Sequence, residues 1–219
     1  MKQIALIHTV ASVHATFATQ LREVIGKEVL IHNILDDFLA TDPNATGTFS
    51  ETNEKRLRND IENAVLTGCD VVVTTCSTLS PHVERMRDQF ATKIITIDEA
   101  MAQRAIELGS VITVLATANS TVGPTVRKLE KTAKEHSKPL TVEAFVCTEA
   151  MDALRSGDTE RHNQLVVELA EKARGSEVCV LAQASMAHLQ DDIEQELGIP
   201  VLSSPPLCMQ QVARYISSL

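Results

Sequence analysis

Short runs of apolar residues recur along the chain and alternate with longer segments of mixed polarity. Apolar residues within the longer segments return at three- and four-residue spacing, as at Leu57, Ile61 and Val65, or at Leu165 and Leu169. This spacing is typical of helices that pack one face on a core. Short apolar runs that alternate with such helices predict βαβ units and mainly parallel sheets. The predicted strands are 3–8, 28–34, 70–75, 93–97, 110–116, 140–146, 177–182 and 200–203.

The two halves of the chain share this pattern. When segment 68–79 is moved forward by 107 positions, it falls on 175–186, so that glycine meets glycine, an acidic residue meets an acidic residue, and one apolar run meets the other. Cys76 then falls opposite Gln183. A shift of 108 relates the first strand to the strand at 110–116 in the same way. The repeat predicts two similar halves, of which only one has a thiol at this position.

The repeat also predicts how the chain is divided. Segment 98–108 has the pattern of a helix joining the halves, and 207–218, after Pro205 and Pro206, has the pattern of its repeat mate. We therefore expect the last helix to pack on the first half. The predicted fold is α/β, with two pseudo-symmetric Rossmann-like lobes, each a mainly parallel sheet flanked by helices. The predicted lobes are 1–97 plus 205–219, and 98–204.

Pro43, Asn44 and Gly47 indicate a loop at 41–51, after the second strand. Such a loop either covers a site or is a solvated turn, and the sequence leaves both readings open.

Composition excludes several classes of function. Hydrophobic residues make up 44% of the 219 positions and charged residues 22%, as in ordinary globular proteins. A net charge of −9 and an aromatic content of 3% argue against a nucleic-acid partner. The apolar run 4–7 is far shorter than the roughly 20 residues of a membrane span and lacks the layout of a signal peptide. We expect a cytoplasmic protein with no membrane partner.

The five cysteines do not form a disulfide or metal-binding pattern. Their number is odd and none belongs to a Cys-x-x-Cys pair, so reduced thiols are expected. The histidines other than His8 have no spacing that suggests a metal site, and we interpret them as surface or packing residues. Structural roles are also expected for four of the cysteines: Cys69, Cys147, Cys179 and Cys208.

Cys76 is the strongest candidate for chemistry. It follows an apolar strand, and ligands of open α/β sheets bind beyond the carboxyl ends of the strands. Hydroxyl side chains follow it and can cap the next helix, for which Pro81 suits the first turn. Unpaired N–H groups at a helix start stabilise a thiolate and also bind carboxylates. The alternative is a cysteine that serves as a small apolar residue. The candidate capping residues are Ser77, Thr78 and Ser80.

Two further turns follow apolar runs. The turn at Thr117, Asn119 and Thr121 precedes a predicted helix and suits a second carboxylate contact, although hydroxyl residues mark many helix starts without a ligand. His8 and Thr9 occupy the matching place in the first half. His8 either donates to substrate, acts as a base, or is a hydrogen-bonded structural residue.

Three segments, 74–78, 116–121 and 180–187, together resemble the aspartate/glutamate/hydantoin racemase superfamily, and the resemblance spans essentially the whole chain. It implies two pseudo-symmetric domains with the active site in the cleft between them, and an isomerase that needs no cofactor and no metal. It also implies a small carboxylate substrate. In racemases of this kind, two cysteines flank the carbon next to the carboxylate, and one removes a proton while the other returns one.

The resemblance assigns roles to residues of this chain. Cys76 matches the first cysteine, Gln183 stands where the second is expected, and His8 is a third catalytic candidate. We also expect a homodimer or a higher homo-oligomer, the commonest assemblies of soluble enzymes. The expected substrate-binding residues are Thr9, Thr75, Ser77, Thr78, Thr117, Asn119, Thr121, Ala184 and Ser185.

Gln183 leaves the reaction open. Glutamine has no titratable proton near neutral pH, so it is unable to act as the second acid or base. Three hypotheses follow. In the first, Cys76 works with another partner such as His8. In the second, Cys76 acts alone in a decarboxylase or cis-trans isomerase of a small dicarboxylate, and Gln183 stabilises charge on a substrate oxygen. In the third, the protein binds a carboxylate without catalysis.

Overall fold

The structure, a computed structural model, describes residues 1–26 and 28–219, which divide into two compact units. The first unit contains Met1–Ile97 and Pro205–Leu219, and the second contains Asp98–Ser204. None of the described helices is both long enough and apolar enough to cross a membrane.

The first unit begins with a strand and continues with alternating helices and strands. Its elements up to residue 97 are β1 (Lys2–His8), α1 (Ala11–Ile25), β2 (Val29–Leu35), α2 (Phe38–Thr46), α3 (Glu51–Leu66), β3 (Val71–Thr74), a 3₁₀ turn (Ser77–Leu79), α4 (Ser80–Met86), a second 3₁₀ turn (Arg87–Gln89) and β4 (Lys93–Thr96).

The second unit follows the same plan, and the last helix then returns the chain to the first unit. The elements are α5 (Glu99–Leu108), β5 (Val111–Ala116), α6 (Asn119–Glu135), β6 (Thr141–Val146), α7 (Thr148–Arg155), α8 (Thr159–Ala170), a 3₁₀ turn (Glu171–Ala173), β7 (Val178–Leu181), a 3₁₀ helix (Ala184–Leu189), α9 (Gln190–Leu197), β8 (Val201–Ser203) and α10 (Ser204–Ser218).

Each unit contains a four-stranded parallel sheet. The strand order is β2-β1-β3-β4 in the first unit and β6-β5-β7-β8 in the second, so equivalent strands take equivalent places. Every strand predicted from the sequence is present within one residue of its predicted bounds. The prediction of an α/β fold with parallel sheets is therefore confirmed.

The central strands of the first unit's sheet, β1 and β3, are buried on both faces, whereas the edge strand β2 is partly exposed. Ile4 and Leu6 of β1 face α1 and α10, which contribute Phe17 and Val212 to the same apolar cluster. The residues between them, such as Ala5, face α3 and α4 and form a second cluster. Parallel strands covered on both faces have continuous rather than alternating apolar runs, which is why the sequence marks them clearly.

The predicted loop at 41–51 is wrong over most of its length, because α2 extends to Thr46 and α3 begins at Glu51. Pro43 lies inside α2, where its missing N–H removes one helical hydrogen bond. Burial of Leu39, which has no exposed surface, favours the helix in spite of that loss. Gly47 ends α2 in the left-handed conformation (φ 75°), with its N–H donating to the Pro43 carbonyl (2.9 Å).

The last helix also differs from its prediction. It begins at Ser204, so Pro205 and Pro206 lie in its first turn instead of before it. The first-turn N–H groups of a helix have no intrahelical acceptor, so proline is tolerated there.

Candidate active site

The expected catalytic residues of the first unit meet at one edge of its sheet. His8 and Thr9 lie at the end of β1, and Thr75 and Cys76 follow β3, its neighbour. The Thr75 N–H donates to the Ile7 carbonyl (3.0 Å), which continues the pairing of the two strands to the edge. Because parallel strands end at the same edge, the structure brings these four residues together.

Cys76 is half-buried and occupies the N-cap position of the 3₁₀ turn that leads into α4. It packs against the apolar cluster on the α3 and α4 face of the sheet, as does Phe49. Of the other cysteines, Cys69, Cys179 and Cys208 are buried, whereas Cys147 is half-buried. Cys147 also follows a strand and is the N-cap residue of α7, but its strand, β6, is at the edge of the sheet. Cys76 combines accessibility with a place at the end of a central strand, as a reactive thiol in such a fold requires.

The hydroxyl groups after Cys76 do not cap the helix, contrary to expectation. Neither the 3₁₀ turn nor α4 has a side-chain cap. The turn closes through its own backbone, with the Leu79 N–H donating to the Cys76 carbonyl (3.1 Å). Ser77, Thr78 and Ser80 thus lie inside the helical turns, beyond the position at which a cap acts. Ser77 and Thr78 remain half-buried beside Cys76.

His8 is buried and hydrogen-bonded through both ring nitrogens. Its Nδ1 lies 2.8 Å from Thr75 Oγ1 and its Nε2 lies 3.1 Å from Asn33 Oδ1. Burial lowers the pKa of His8, a hydrogen bond with Asn33 opposes this, and the charge of His14 adds to it. When Nε2–H of the neutral ring donates to Asn33, Nδ1 is the acceptor, and the Thr75 hydroxyl donates either to it or to the Ile7 carbonyl 3.2 Å away.

The His8 geometry favours a positioning role. Both nitrogens already have partners, so the ring has no free lone pair for a substrate proton. It instead orients Thr75, the residue that precedes Cys76. Asn33 was not among the predicted site residues; its signal in the sequence is an amide that follows His32 within a mostly apolar strand.

Thr9 contributes an unsatisfied polar group to the same edge. The residue is 3% exposed, and its Oγ1 has no hydrogen-bond partner among the described residues. Buried hydroxyl groups nearly always have a partner, so such an atom is a candidate ligand contact. The following helix, α1, begins after Val10 without a side-chain cap and has no acidic residue in its first turn. Its first N–H groups therefore remain available to an anion.

At the equivalent edge of the second unit, Gln183 is bound to Thr117. Gln183 Oε1 accepts from the Thr117 backbone N–H (2.6 Å) and from the Thr117 hydroxyl (3.1 Å). Thr117 has no exposed surface, whereas Gln183 is half-buried. The two residues follow the neighbouring strands β5 and β7, which is why residues 66 positions apart meet.

The other candidates of the second unit lie at the starts of two helices. Asn119 is the exposed first residue of α6, and the Thr121 hydroxyl donates to the Ala118 carbonyl (2.8 Å), so this hydroxyl is already in use as a donor. Ala184 and Ser185 begin the 3₁₀ helix after Gln183. Ser185 Oγ is buried and has no partner within residues 1–26 and 28–219.

In each unit, a histidine that follows the candidate residue in sequence contacts a neighbouring long helix. In the first unit His82 Nδ1 lies 2.6 Å from Glu54 of α3, and its ring stacks on Phe49 (centroids 3.7 Å apart). In the second unit His188 Nε2 lies 2.9 Å from Asn163 of α8. Burial lowers the pKa of His82, against the opposing effect of Glu54. These contacts support the turns after Cys76 and Gln183.

The part of the chain that the structure describes has no group of three His, Cys, Asp or Glu side chains arranged to hold a metal ion.

Comparison with known proteins identifies the family. The family model described as Asp/Glu/hydantoin racemase matches residues 7–212. Since this match covers most of the sequence, the chain belongs to the Asp/Glu/hydantoin racemase family, and the resemblance found in the turns is confirmed. No curated protein matches the sequence significantly.

Solved structures show the same fold. Glutamate racemase from Bacillus anthracis is 16% identical with a TM-score of 0.73, over 99% of this chain and 82% of that one. Aspartate racemase from Picrophilus torridus is 16% identical with a TM-score of 0.67, over 100% and 94%. Allantoin racemase from Pseudomonas fluorescens is 20% identical with a TM-score of 0.64, over 99% and 91%. At these identities the likeness establishes the fold.

Proposed function

We propose that the protein is a cofactor-independent isomerase that acts at the carbon next to the carboxylate of a small amino acid or diacid, with Cys76 as acid and base. The observation that carries the proposal is the position of Cys76. It is a half-buried thiol at the carboxyl end of β3 in a chain of the racemase family. In its thiolate form it removes the proton of one enantiomer, and as a thiol it protonates the same face when the opposite enantiomer reacts. Since neither Gln183 nor His8 supplies an acid or base, water exchanges the proton on the other face.

Neighbouring groups in the first unit support this chemistry. Thr9 Oγ1 lacks a partner, and the first N–H groups of α1 are uncapped, so this turn suits a substrate carboxylate. His8 holds the Thr75 hydroxyl beside Cys76. We assign His8 a positioning role, since neither of its ring nitrogens is free.

The test is exchange of the substrate proton with solvent. Each enantiomer of aspartate and glutamate, the substrates named for two of the solved relatives, is incubated with the protein in D2O and followed by NMR and chiral chromatography. We expect loss of the proton signal for one of these compounds. Cys76→Ser should slow the exchange by about 100-fold or more. Cys147→Ser is the matched control, because it removes the other half-buried thiol. Exchange that survives Cys76→Ser would refute the role of Cys76.

A second function is favoured by the geometry of Gln183. Gln183 has no titratable proton, and its amide is fixed by Thr117, so it is suited to stabilise charge on a substrate oxygen instead of protonating carbon. Cys76 would then act on one face only, as in decarboxylation of a small malonate-type diacid followed by protonation. Release of CO2 with a single product enantiomer, and no exchange with amino acids, would select this function. Carboxylate binding without either reaction would refute both.

A further inference from the structure

The Gln183 side chain accepts hydrogen bonds from two Thr117 groups that are suited to bind a carboxylate. Its Oε1 accepts from both the N–H and the hydroxyl of Thr117, at 2.6 and 3.1 Å. Two donors from one residue converging on one oxygen is an arrangement also suited to a carboxylate oxygen. An amide oxygen of the chain itself therefore takes the place of an external anion.

The first unit lacks this internal occupant. In the sequence repeat, Thr9 corresponds to Thr117 and Cys76 corresponds to Gln183. Thr9 Oγ1 is buried and has no partner among the described residues. The two equivalent turns thus differ: the first has a donor available to a ligand, and the second has its donors satisfied by Gln183.

The contact with Thr117 also fixes the orientation of the amide. A backbone N–H is only a donor, so the group that it meets must be the oxygen of Gln183. The NH2 group then points away from Thr117, and it makes no hydrogen bond to the residues that the structure describes. Gln183 is half-buried, so this group is a fixed donor that a ligand can reach.

We propose that Gln183 is an internal ligand that closes the turn of the second unit to carboxylates and thereby determines specificity. Resting on the proposed function, this defines what the second unit accepts from the substrate: a neutral carbonyl or amide oxygen, which accepts from Gln183 Nε2. Removing the Gln183 side chain opens a second anion site at Thr117.

The experiment follows backbone amides by 15N NMR during titration with sodium acetate at constant ionic strength. In the native protein acetate should shift the Thr9 amide and leave the Thr117 amide unchanged. In Gln183→Ala it should shift both, and hydrogen exchange at Thr117 should become at least about tenfold faster because its acceptor is gone. Gln183→Glu retains an acceptor oxygen and should keep Thr117 unresponsive. Gln190→Ala is the matched control, since Gln190 Oε1 accepts from the Ser203 hydroxyl in the same unit.

Two results would overturn the inference. One is an acetate-induced shift of Thr117 in the native protein as large as that in Gln183→Ala. The other is a Thr117 amide that stays protected and unresponsive in Gln183→Ala. These readouts need no turnover, so failure of the proposed isomerase reaction and failure of this inference are distinguished.

Discussion

Asp60 of α3 is an acid whose charged form the fold disfavours. Its Oδ2 is buried without a hydrogen-bond partner among the described residues. Burial, with the neighbouring Asp36 carboxylate as the second cause, raises the pKa of Asp60 to about 6 from 3.8. The charge of Arg56 opposes this shift only in part, since Arg56 Nη2 lies 2.8 Å from Asp36 Oδ2. Asp60→Asn keeps the shape of the side chain and removes its charge.

The expected gain in stability follows from the pKa. The difference between 6 and 3.8, at about 1.36 kcal/mol for each pH unit, gives an upper limit of about 3 kcal/mol for the cost of the charge at neutral pH. Asp60 is only partly buried, so solvent screening reduces this, and we expect Asp60→Asn to raise the free energy of unfolding by about 1 kcal/mol at pH 7.5.

The direction of the pKa shift determines how the effect of Asp60→Asn on stability changes with pH. A carboxyl with a raised pKa binds its proton more tightly in the folded state, so its protonated form stabilises the fold at low pH and this contribution is lost as pH rises through about 6. The advantage of Asp60→Asn should therefore shrink at pH 5 and vanish below 3.8.

Urea unfolding at pH 7.5 and pH 5.0 measures both quantities. Asp88→Asn, at an exposed position of the same unit, is the control and should change little at either pH. If Asp60→Asn destabilises the protein at pH 7.5, or if its effect is the same at both pH values, the burial argument is wrong.

Two further predictions concern the candidate site. Iodoacetamide should label Cys76 before any other cysteine. The fast phase of labelling should disappear in Cys76→Ser but not in Cys147→Ser. Burial raises the pKa of Cys179 to about 12 and also raises the pKa of Cys69, so both thiols should react slowly. Equal rates for Cys76 and Cys147, measured by mass spectrometry, would contradict this. Because burial lowers the pKa of His8, the contribution of its neutral ring to stability is fully present above pH 6.5 and is lost as the pH falls below that value. His8→Gln should therefore flatten the decline of stability in urea unfolding between pH 7 and 5, whereas exposed His136→Gln should not.

The fold was largely predictable because its central strands are buried on both faces. Ile4 and Ala5 lie on opposite faces of one strand, yet both are fully buried, and this produces the continuous apolar runs. Helix α2 was missed because Pro43 and Gly47 suggest a loop locally, whereas the burial of Leu39 depends on tertiary contacts that no local pattern records.

The positions of the site residues were predictable, but their partners were not. Strand ends locate Cys76 and Gln183, since the carboxyl edge of a parallel sheet follows from the strand pattern. The bonds of His8 to Thr75 and of Gln183 to Thr117 join residues 67 and 66 positions apart. Their geometry depends on side-chain orientation at neighbouring strand ends. For this reason the sequence left His8 open as a base, while the structure favours a positioning role.

The return of α10 to the first unit has a consequence for biosynthesis. Cys208, Met209, Val212 and Ile216 complete the apolar cluster that covers β1, although they follow the whole second unit in sequence. The second unit is continuous in sequence and has all of its strands before this point. We therefore expect the second unit to fold first during translation, while one face of the first sheet stays uncovered and prone to aggregation until α10 has been synthesised.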